Sequence, residues 1–356
     1  MKLWKRTYLI ALSFSLISVA AFAQPDKSMP DGEFGVDYNQ TDTNGQKQGP
    51  WVRVYQGGAI YYKGSFKNDI PQGEFWFWYE TGEPMSKVNH IDGTKHMVVE
   101  NYHKNRKLMS SGAYREMLVE GVPEKVKDGE WEFYTKDGML KTKENYKMGI
   151  RNGTSISYHE NGKMLLEANY VDGKKNGNAT EYFSDGTVKM KVGYADDEYD
   201  GPMELFKPGR RNYIKGTYVK GLKDGLWIIF NDDGTIQMTT KYDMGNELAS
   251  KRVNGEFTDY YPGGIPKAYL TYEDGELNGP FSEWYDQGEW IKEPMDEPMP
   301  GGGIQFKEKL VGTQVEREGD YLDGKLEGPV TYYNEDGRIM KIEYYLEGEL
   351  QSTEER

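Results

Sequence analysis

Cysteine is absent from the 356 residues of the chain, and only four histidines occur. The lack of cysteine excludes disulfide-stapled scaffolds, thiol catalysis and cysteine-based zinc sites. Beyond the N-terminal stretch there is no long apolar run, which excludes a bundle of membrane-spanning helices. Neither a nucleophile elbow nor a phosphate-binding Gly-Lys loop is found. We therefore expect no enzyme activity, no metal and no cofactor.

Aromatic residues and glycine are abundant instead. The chain has 8 Trp, 28 Tyr, 13 Phe and 43 Gly. Disordered chains are poor in aromatic residues, so this composition favours a folded protein. Many rings together with many glycines indicate short strands that are joined by tight turns.

The N-terminus has the features of an export signal. Basic residues Lys2, Lys5 and Arg6 precede an apolar stretch over residues 8–19, and Ala21-Phe22-Ala23 matches a small-x-small cleavage site. The alternative, a retained anchor, is disfavoured because a span needs about 20 apolar residues. We predict a signal peptide over residues 1–23, cleaved after Ala23, and a periplasmic or extracellular protein without a membrane span.

The charge of the predicted mature chain bears on its partners. Removal of the three basic leader residues takes the net charge from −14 to −17. Such a chain repels nucleic acid and anionic membrane surfaces. We expect no nucleic-acid partner.

Glycines recur along the chain at a fixed interval. Six of nine successive spacings between their sequence numbers equal 24, and the others are 56, 30 and 49. Spacings of 49 and 56 are close to two periods, which predicts degenerate units near residues 97–128 and 303–327. These anchor glycines are Gly49, Gly73, Gly129, Gly153, Gly177, Gly201, Gly225, Gly255, Gly279 and Gly328.

A second column confirms the period. Position +5, the fifth residue after each anchor glycine, is aromatic in nine of ten units. The ten residues are Val54, Trp78, Tyr134, Tyr158, Tyr182, Phe206, Phe230, Tyr260, Trp284 and Tyr333.

One unit reads as one β-hairpin. Residues 129–136 form an aromatic-rich strand, Asp137-Gly138 suits a tight turn with positive φ, and residues 139–146 form the return strand. The fold class is therefore all-β: an elongated, twisted antiparallel β-hairpin repeat array of about 10–12 units.

The domain prediction follows from these boundaries. Residues 24–48 form a lead-in or cap, and residues 49–350 form the repeats. A degenerate stretch lies near 97–128, an insertion or degenerate unit spans 289–327, and residues 351–356 are a tail.

The aromatic columns supply the candidate binding surface. Large residues also recur at position +2, an odd number of positions from +5. Either both faces of the sheet carry rings or a bulge re-aims one set. The rings serve as ligand anchors or, alternatively, pack on each other as the core. The candidate residues are Trp78, Trp131, Tyr134, Tyr158, Tyr182, Trp227, Phe230, Tyr260 and Trp284.

The unit G-x-W-x-x-Y-x-x-x-G followed by Y-x-x-G-x-x-x-G resembles the MORN-repeat variant of bacterial proteins. It is clearest over residues 129–153 and 225–245. Chains of this type are often labelled as similar to the YwqK antitoxin component. The resemblance implies a non-enzymatic scaffold, a protein-binding module or a membrane-associating module.

Together these observations predict an exported, non-catalytic scaffold that binds another protein of the bacterial cell envelope. One alternative is a carbohydrate-binding module that uses the aromatic stripes. Another is an antitoxin-like or membrane-associated MORN protein. Oligomeric state is left open, since an exposed end strand would suit pairing with a second copy.

Overall fold

The computed structural model describes residues 37–91, 95–119, 122–208, 212–295 and 305–356, and the predicted leader lies outside them. Every regular element within these ranges is a β-strand. The chain divides into two units, of which the first ends at Lys174 and the second is Lys175–Arg356. The predicted all-β array of antiparallel hairpins is confirmed.

In the first unit, each strand from β1 to β11 pairs antiparallel with the next one along the chain. The strands are β1 (Gln40–Thr41), β2 (Lys47–Val54), β3 (Ile60–Lys67), β4 (Ile70–Trp78), β5 (Pro84–His90), β6 (His96–Tyr102), β7 (Leu108–Val119), β8 (Val122–Tyr134), β9 (Leu140–Lys147), β10 (Ile150–Tyr158) and β11 (Met164–Val171).

The remaining strands are β12 (Lys174–Tyr182), β13 (Val188–Ala195), β14 (Glu198–Phe206), β15 (Asn212–Val219), β16 (Leu222–Phe230), β17 (Ile236–Asp243), β18 (Asn246–Arg252), β19 (Gly255–Tyr260), β20 (Pro266–Glu273), β21 (Glu276–Trp284), β22 (Glu289–Pro294), β23 (Phe306–Val311), β24 (Val315–Leu322), β25 (Lys325–Tyr333), β26 (Ile339–Leu346) and β27 (Glu349–Glu355). Neighbours from β12 to β18 pair in order. A separate sheet has the order β19-β20-β21-β24-β25-β26-β27, and β22 pairs with β23.

Two kinds of turn alternate along the array. At the first, the Gly162 N–H donates to the His159 carbonyl at 2.9 Å, and Gly162 has a φ of 80°. This is a three-residue hairpin loop that ends in a left-handed glycine. At the second, Met148 and Gly149 have φ values of 51° and 83°, which is the two-residue type I′ turn. Both match the right-handed twist of the strands, and the predicted positive φ of Gly138 is confirmed at 84°.

Most anchor glycines mark a bulge in the first strand of their hairpin. Register shifts between Arg151 and Ser155, where three residues oppose Asn145. Gly153 lies in this bulge with a φ of 106°, and all ten anchor glycines have positive φ. The period of the repeat is therefore set by a backbone conformation that favours glycine.

The long interval from Gly73 to Gly129 contains a regular hairpin and a longer turn. Met97 takes the anchor position, because it pairs with Tyr114 seventeen positions later, as Gly129 pairs with Tyr146. Fifteen positions rather than seven then separate Tyr114 from the next anchor glycine. The extra eight residues lengthen the hairpin of β7 and β8.

The interval from Gly279 to Gly328 is one unit with an insertion, not two units. Gly279 pairs with Tyr321, whereas Gly255 in the preceding unit pairs with the much nearer Tyr272. The segment between Trp284 and Val315 replaces the ordinary turn and contains the hairpin of β22 and β23. The degenerate unit predicted near 303–327 is therefore the return strand of the interrupted hairpin.

The interval from Gly225 to Gly255 is where one sheet ends and another begins. Among the described residues, β18 pairs only with β17 and β19 only with β20. Asn254 links the two sheets. Its side-chain Nδ2 donates to the Ile236 carbonyl at 2.8 Å, and its Oδ1 accepts from the Asp274 N–H at 2.9 Å.

Candidate functional site

The two faces of the sheet have different chemistry. On one, which we call the packed face, Trp131 stacks on Phe133 with centroids 5.9 Å apart. On the other, the charged face, the Tyr134 hydroxyl donates to Glu132 at 2.6 Å. Positions +2 and +5 thus lie on opposite faces, and both faces carry rings. The sequence left open whether both faces carry rings or a bulge re-aims one set, and the structure has the first arrangement.

The packed face is built from large rings that lie over glycines of the preceding strand. A Cβ at Gly112 would overlap the Trp131 ring, and one at Gly216 would overlap Trp227. The two indoles are only 1% and 6% exposed. Each ring therefore fills the space that a missing side chain leaves on its neighbour.

This burial corrects part of the predicted binding surface. Trp131 and Trp227 were grouped with the +5 rings, but their faces pack inside the array and offer no surface to a ligand. The other candidates occupy the +5 column of the charged face. Tyr260 is 60% exposed. Trp78, Tyr134, Tyr158, Tyr182, Phe230 and Trp284 are half-buried.

Cations cover the ring pairs of the packed face. The Lys127 Nζ lies 4.9 Å from the Trp131 ring, 4.4 Å from Phe133 and 4.8 Å from Tyr146. Lys223 repeats the arrangement over Trp227 at 4.6 Å. Burial of Lys127 lowers the pKa of its ammonium group, an effect that Glu144 opposes.

The charged face carries a row of opposed residues across the first unit. Lys143 forms ion pairs with Glu132 at 2.6 Å, and Lys87 with Glu74 at 2.9 Å. Exposed pairs of this kind stabilise the fold little, but they place both signs of charge side by side on this face. In strand order from β4 to β9 the row is Trp76, Lys87, Glu100, Ser111, Glu132 and Lys143.

Hydrogen bonds keep this face ionised at neutral pH. The bond from Lys143 lowers the pKa of the Glu132 carboxyl, and the bond from Tyr134 acts in the same direction. Burial, together with the bond to Glu132, raises the pKa of Tyr134 to about 12. The carboxylates therefore stay charged and the phenol stays neutral near pH 7.

A three-ring stack on the charged face was missed at the sequence level. Trp76 stacks on Trp78 and on Tyr102, with centroids 6.2 Å apart in both pairs. Tyr102 lies in the stretch that was taken as degenerate, although it is the fifth residue after Met97. Trp76 occupies position +3, which has no aromatic column in the other units.

One histidine and one acidic turn have structural roles. His90 packs edge-on against Phe75 with centroids 5.2 Å apart. Asp197 has a positive φ in a two-residue turn, and its carboxylate accepts from the Lys175 N–H at 2.7 Å. Within the described ranges, no group of three or more His, Asp or Glu residues could hold a metal ion.

His90 makes the stability of the first unit depend on pH. Burial lowers its pKa from 6.5, and nearby Lys125 acts in the same direction. The unfolded chain then binds the proton more readily, so stability is complete above pH 6.5 and is lost as pH falls from there to the folded pKa. As the pH is lowered from about 7.5 to 5.5, we expect the melting temperature of the His90→Phe variant to rise relative to that of the parent. A difference in melting temperature that stays constant across this pH range would contradict the assignment.

Comparison with protein families and structures completes the description. Among the residues that the structure describes, no helix is long and apolar enough to cross a membrane. No curated protein matches the sequence. Among the solved structures that are similar to the chain, two have 9% identity to it. A porin-like protein from Bacteroides uniformis has a TM-score of 0.15, with 65% of this chain and 95% of that chain covered. The Photorhabdus luminescens Tc holotoxin pore has a TM-score of 0.17, with 85% and 21% covered.

The family match is local and covers most of two successive hairpins. Both TM-scores are low, so the repeat match alone defines what this chain resembles. The MORN repeat variant matches residues 127–148, which include the later part of β8 and all of β9, and residues 151–172, which include most of β10 and all of β11. These two adjacent stretches therefore match the MORN repeat variant, as the glycine and aromatic spacing predicted.

Proposed function

We propose that this protein is an exported, non-catalytic scaffold that binds a protein of the cell envelope along its hairpin array. The observation that carries the proposal is the +5 column. Successive hairpins present a half-exposed ring at the same place on the charged face, beside carboxylates and ammonium groups. Aromatic residues within a polar surround are typical anchors of protein interfaces.

The chemistry of this face favours a protein over a glycan. Trp76 has Trp78 and Tyr102 stacked against it, so ring faces that would stack on a sugar are engaged with other rings. Lys and Glu lie opposite each other on neighbouring strands, which suits a partner with both signs of charge. The net charge of −17 expected after leader removal disfavours nucleic acid and anionic lipid.

A pull-down from envelope extract tests the binding role. The tagged, exported chain should recover a defined protein, and the triple variant Trp78→Ala/Tyr134→Ala/Tyr158→Ala should lose at least about 90% of it. These three rings are half-buried, so the variant should still fold, which circular dichroism checks.

A matched control removes exposed apolar side chains outside the column. The triple variant Ile70→Ala/Leu118→Ala/Leu222→Ala changes residues that are 61%, 62% and 44% exposed. It should recover the protein as well as the parent does. Recovery of polysaccharide without protein, or equal loss in both triple variants, would overturn the proposal.

Export has its own measurement. Mass spectrometry of the chain recovered outside the cytoplasm should show a mature N-terminus at Gln24. A cytosolic chain with an intact leader would contradict the envelope role, but it would not affect the proposed binding surface.

A further inference from the structure

Part of the packed face carries no carboxylate. The side chains that β2 to β6 place there include no Asp or Glu, and their neighbours follow from the strand registers. They include Trp51, Arg53, Tyr62, Phe66, Phe75, Phe77, Ser86, Val88, His90, Met97, Val99 and Asn101.

Cations accompany these rings. The Lys47 Nζ lies 4.9 Å from the Trp51 ring and 4.7 Å from the Phe66 ring. Arg53 is directly opposite Tyr62 on the neighbouring strand. Both cations belong to β2 and lie on the same face, six residues apart along the strand. They therefore border the ring cluster at separate points.

The charge of this patch differs from that of its surroundings. The chain has 58 acidic and 44 basic residues, and the charged face of the same strands carries Glu74 and Glu100. On the packed face the next carboxylate along the strand order is Glu116 of β7, which lies directly opposite Lys125 of β8. The packed face of β2 to β6 is thus positive, whereas the whole chain is negative.

Ring orientation disfavours a sugar as the occupant. Trp51 and Phe66 meet at 77°, Phe66 and Phe75 at 85°, and Phe75 and His90 at 74°. In an edge-on pair the edge of one ring rests on the face of its neighbour. A sugar ring needs flat, parallel platforms, whereas a mixture of edges and faces suits side chains of different shapes.

We infer that the packed face of β2 to β6 docks an acidic, extended segment of the partner protein. Carboxylates of the segment meet Lys47 and Arg53, and its apolar side chains contact the half-buried rings Trp51, Phe66 and Phe77. This inference rests on the proposed function in taking a protein as the partner, but it places the contact on the opposite face from the +5 column.

Selection from a random peptide library on the full-length chain tests this docking face. The selected peptides should be enriched in Asp and Glu, and their affinity should fall with added salt. A selected peptide should bind the Lys47→Gln/Arg53→Gln variant about tenfold more weakly. The matched control, Lys63→Gln/Lys87→Gln, removes two cations from the charged face of β3 and β5 and should bind like the parent.

A second measurement does not depend on the folding of any variant. Replacing the acidic residues of the selected peptide with Asn and Gln should weaken its binding to the parent about tenfold. Peptides without acidic enrichment, equal binding by both double variants, or binding of polygalacturonate in place of peptides would each overturn the inference. If peptides bind as expected while the envelope pull-down fails, the proposed function falls and the docking face stands.

Discussion

Replacement of Trp131 with alanine should reduce the free energy of unfolding of the first unit by about 3–5 kcal/mol. The indole is 1% exposed, and its Nε1–H donates to the Ala113 carbonyl at 2.9 Å. Its loss leaves a cavity above Gly112 and a carbonyl without its donor. Since long arrays unfold in stages, amide exchange over β6 to β9 is the suitable measurement.

Trp78→Ala is the matched control for this change. The same residue type is removed, but Trp78 is half-buried on the charged face and stacks on Trp76. Its main-chain carbonyl still accepts from the Tyr55 hydroxyl after the substitution. We expect less than about half the loss caused by Trp131→Ala. Equal losses would contradict the assignment of Trp131 to the core.

Gly112→Ala should be the second large effect, at about 1–3 kcal/mol. Gly112 has an ordinary strand conformation, so the substitution causes no backbone strain. Its new methyl group would, however, overlap the Trp131 ring. That ring cannot withdraw, because Lys127 and Tyr114 pack against it. Denaturant midpoints read by tryptophan fluorescence measure the change.

Gly57→Ala separates overlap from the general effect of removing a glycine. The nearest atom to its added Cβ is Glu80 Oε1 at 3.7 Å, and its φ is not positive. The variant should match the parent or gain up to about 1 kcal/mol, because alanine restricts the unfolded chain. If Gly112→Ala behaves in the same way, the ring-over-glycine packing is wrong.

The local part of the fold was predictable from sequence. Glycine turns such as Asp137-Gly138 and the bulge at Gly153 depend on backbone conformations that few other residues adopt, so they leave a regular trace. Once strands are bounded by such turns, antiparallel pairing of neighbours follows.

Burial and insertions were harder to predict, because they depend on contacts across strands. Aromatic residues occur at both +2 and +5, and only the glycines at +15 show which set is packed. That column is visible at Gly64, Gly112 and Gly216, but other units have larger residues there, among them Val192 and Glu144. The sequence left open whether the stretch after Gly279 is an insertion or a degenerate unit, because the distance along the chain to Gly328 lies close to two periods.

A double-mutant cycle at Gly216 and Trp227 tests most directly whether rings seated over glycines hold the hairpins together. In the parent, Gly216→Ala should destabilise the second unit, because its Cβ would overlap the Trp227 ring. In the Trp227→Ala background the same substitution should be neutral or stabilising, with a coupling energy of at least about 1 kcal/mol. Strictly additive effects of the two substitutions would contradict the account.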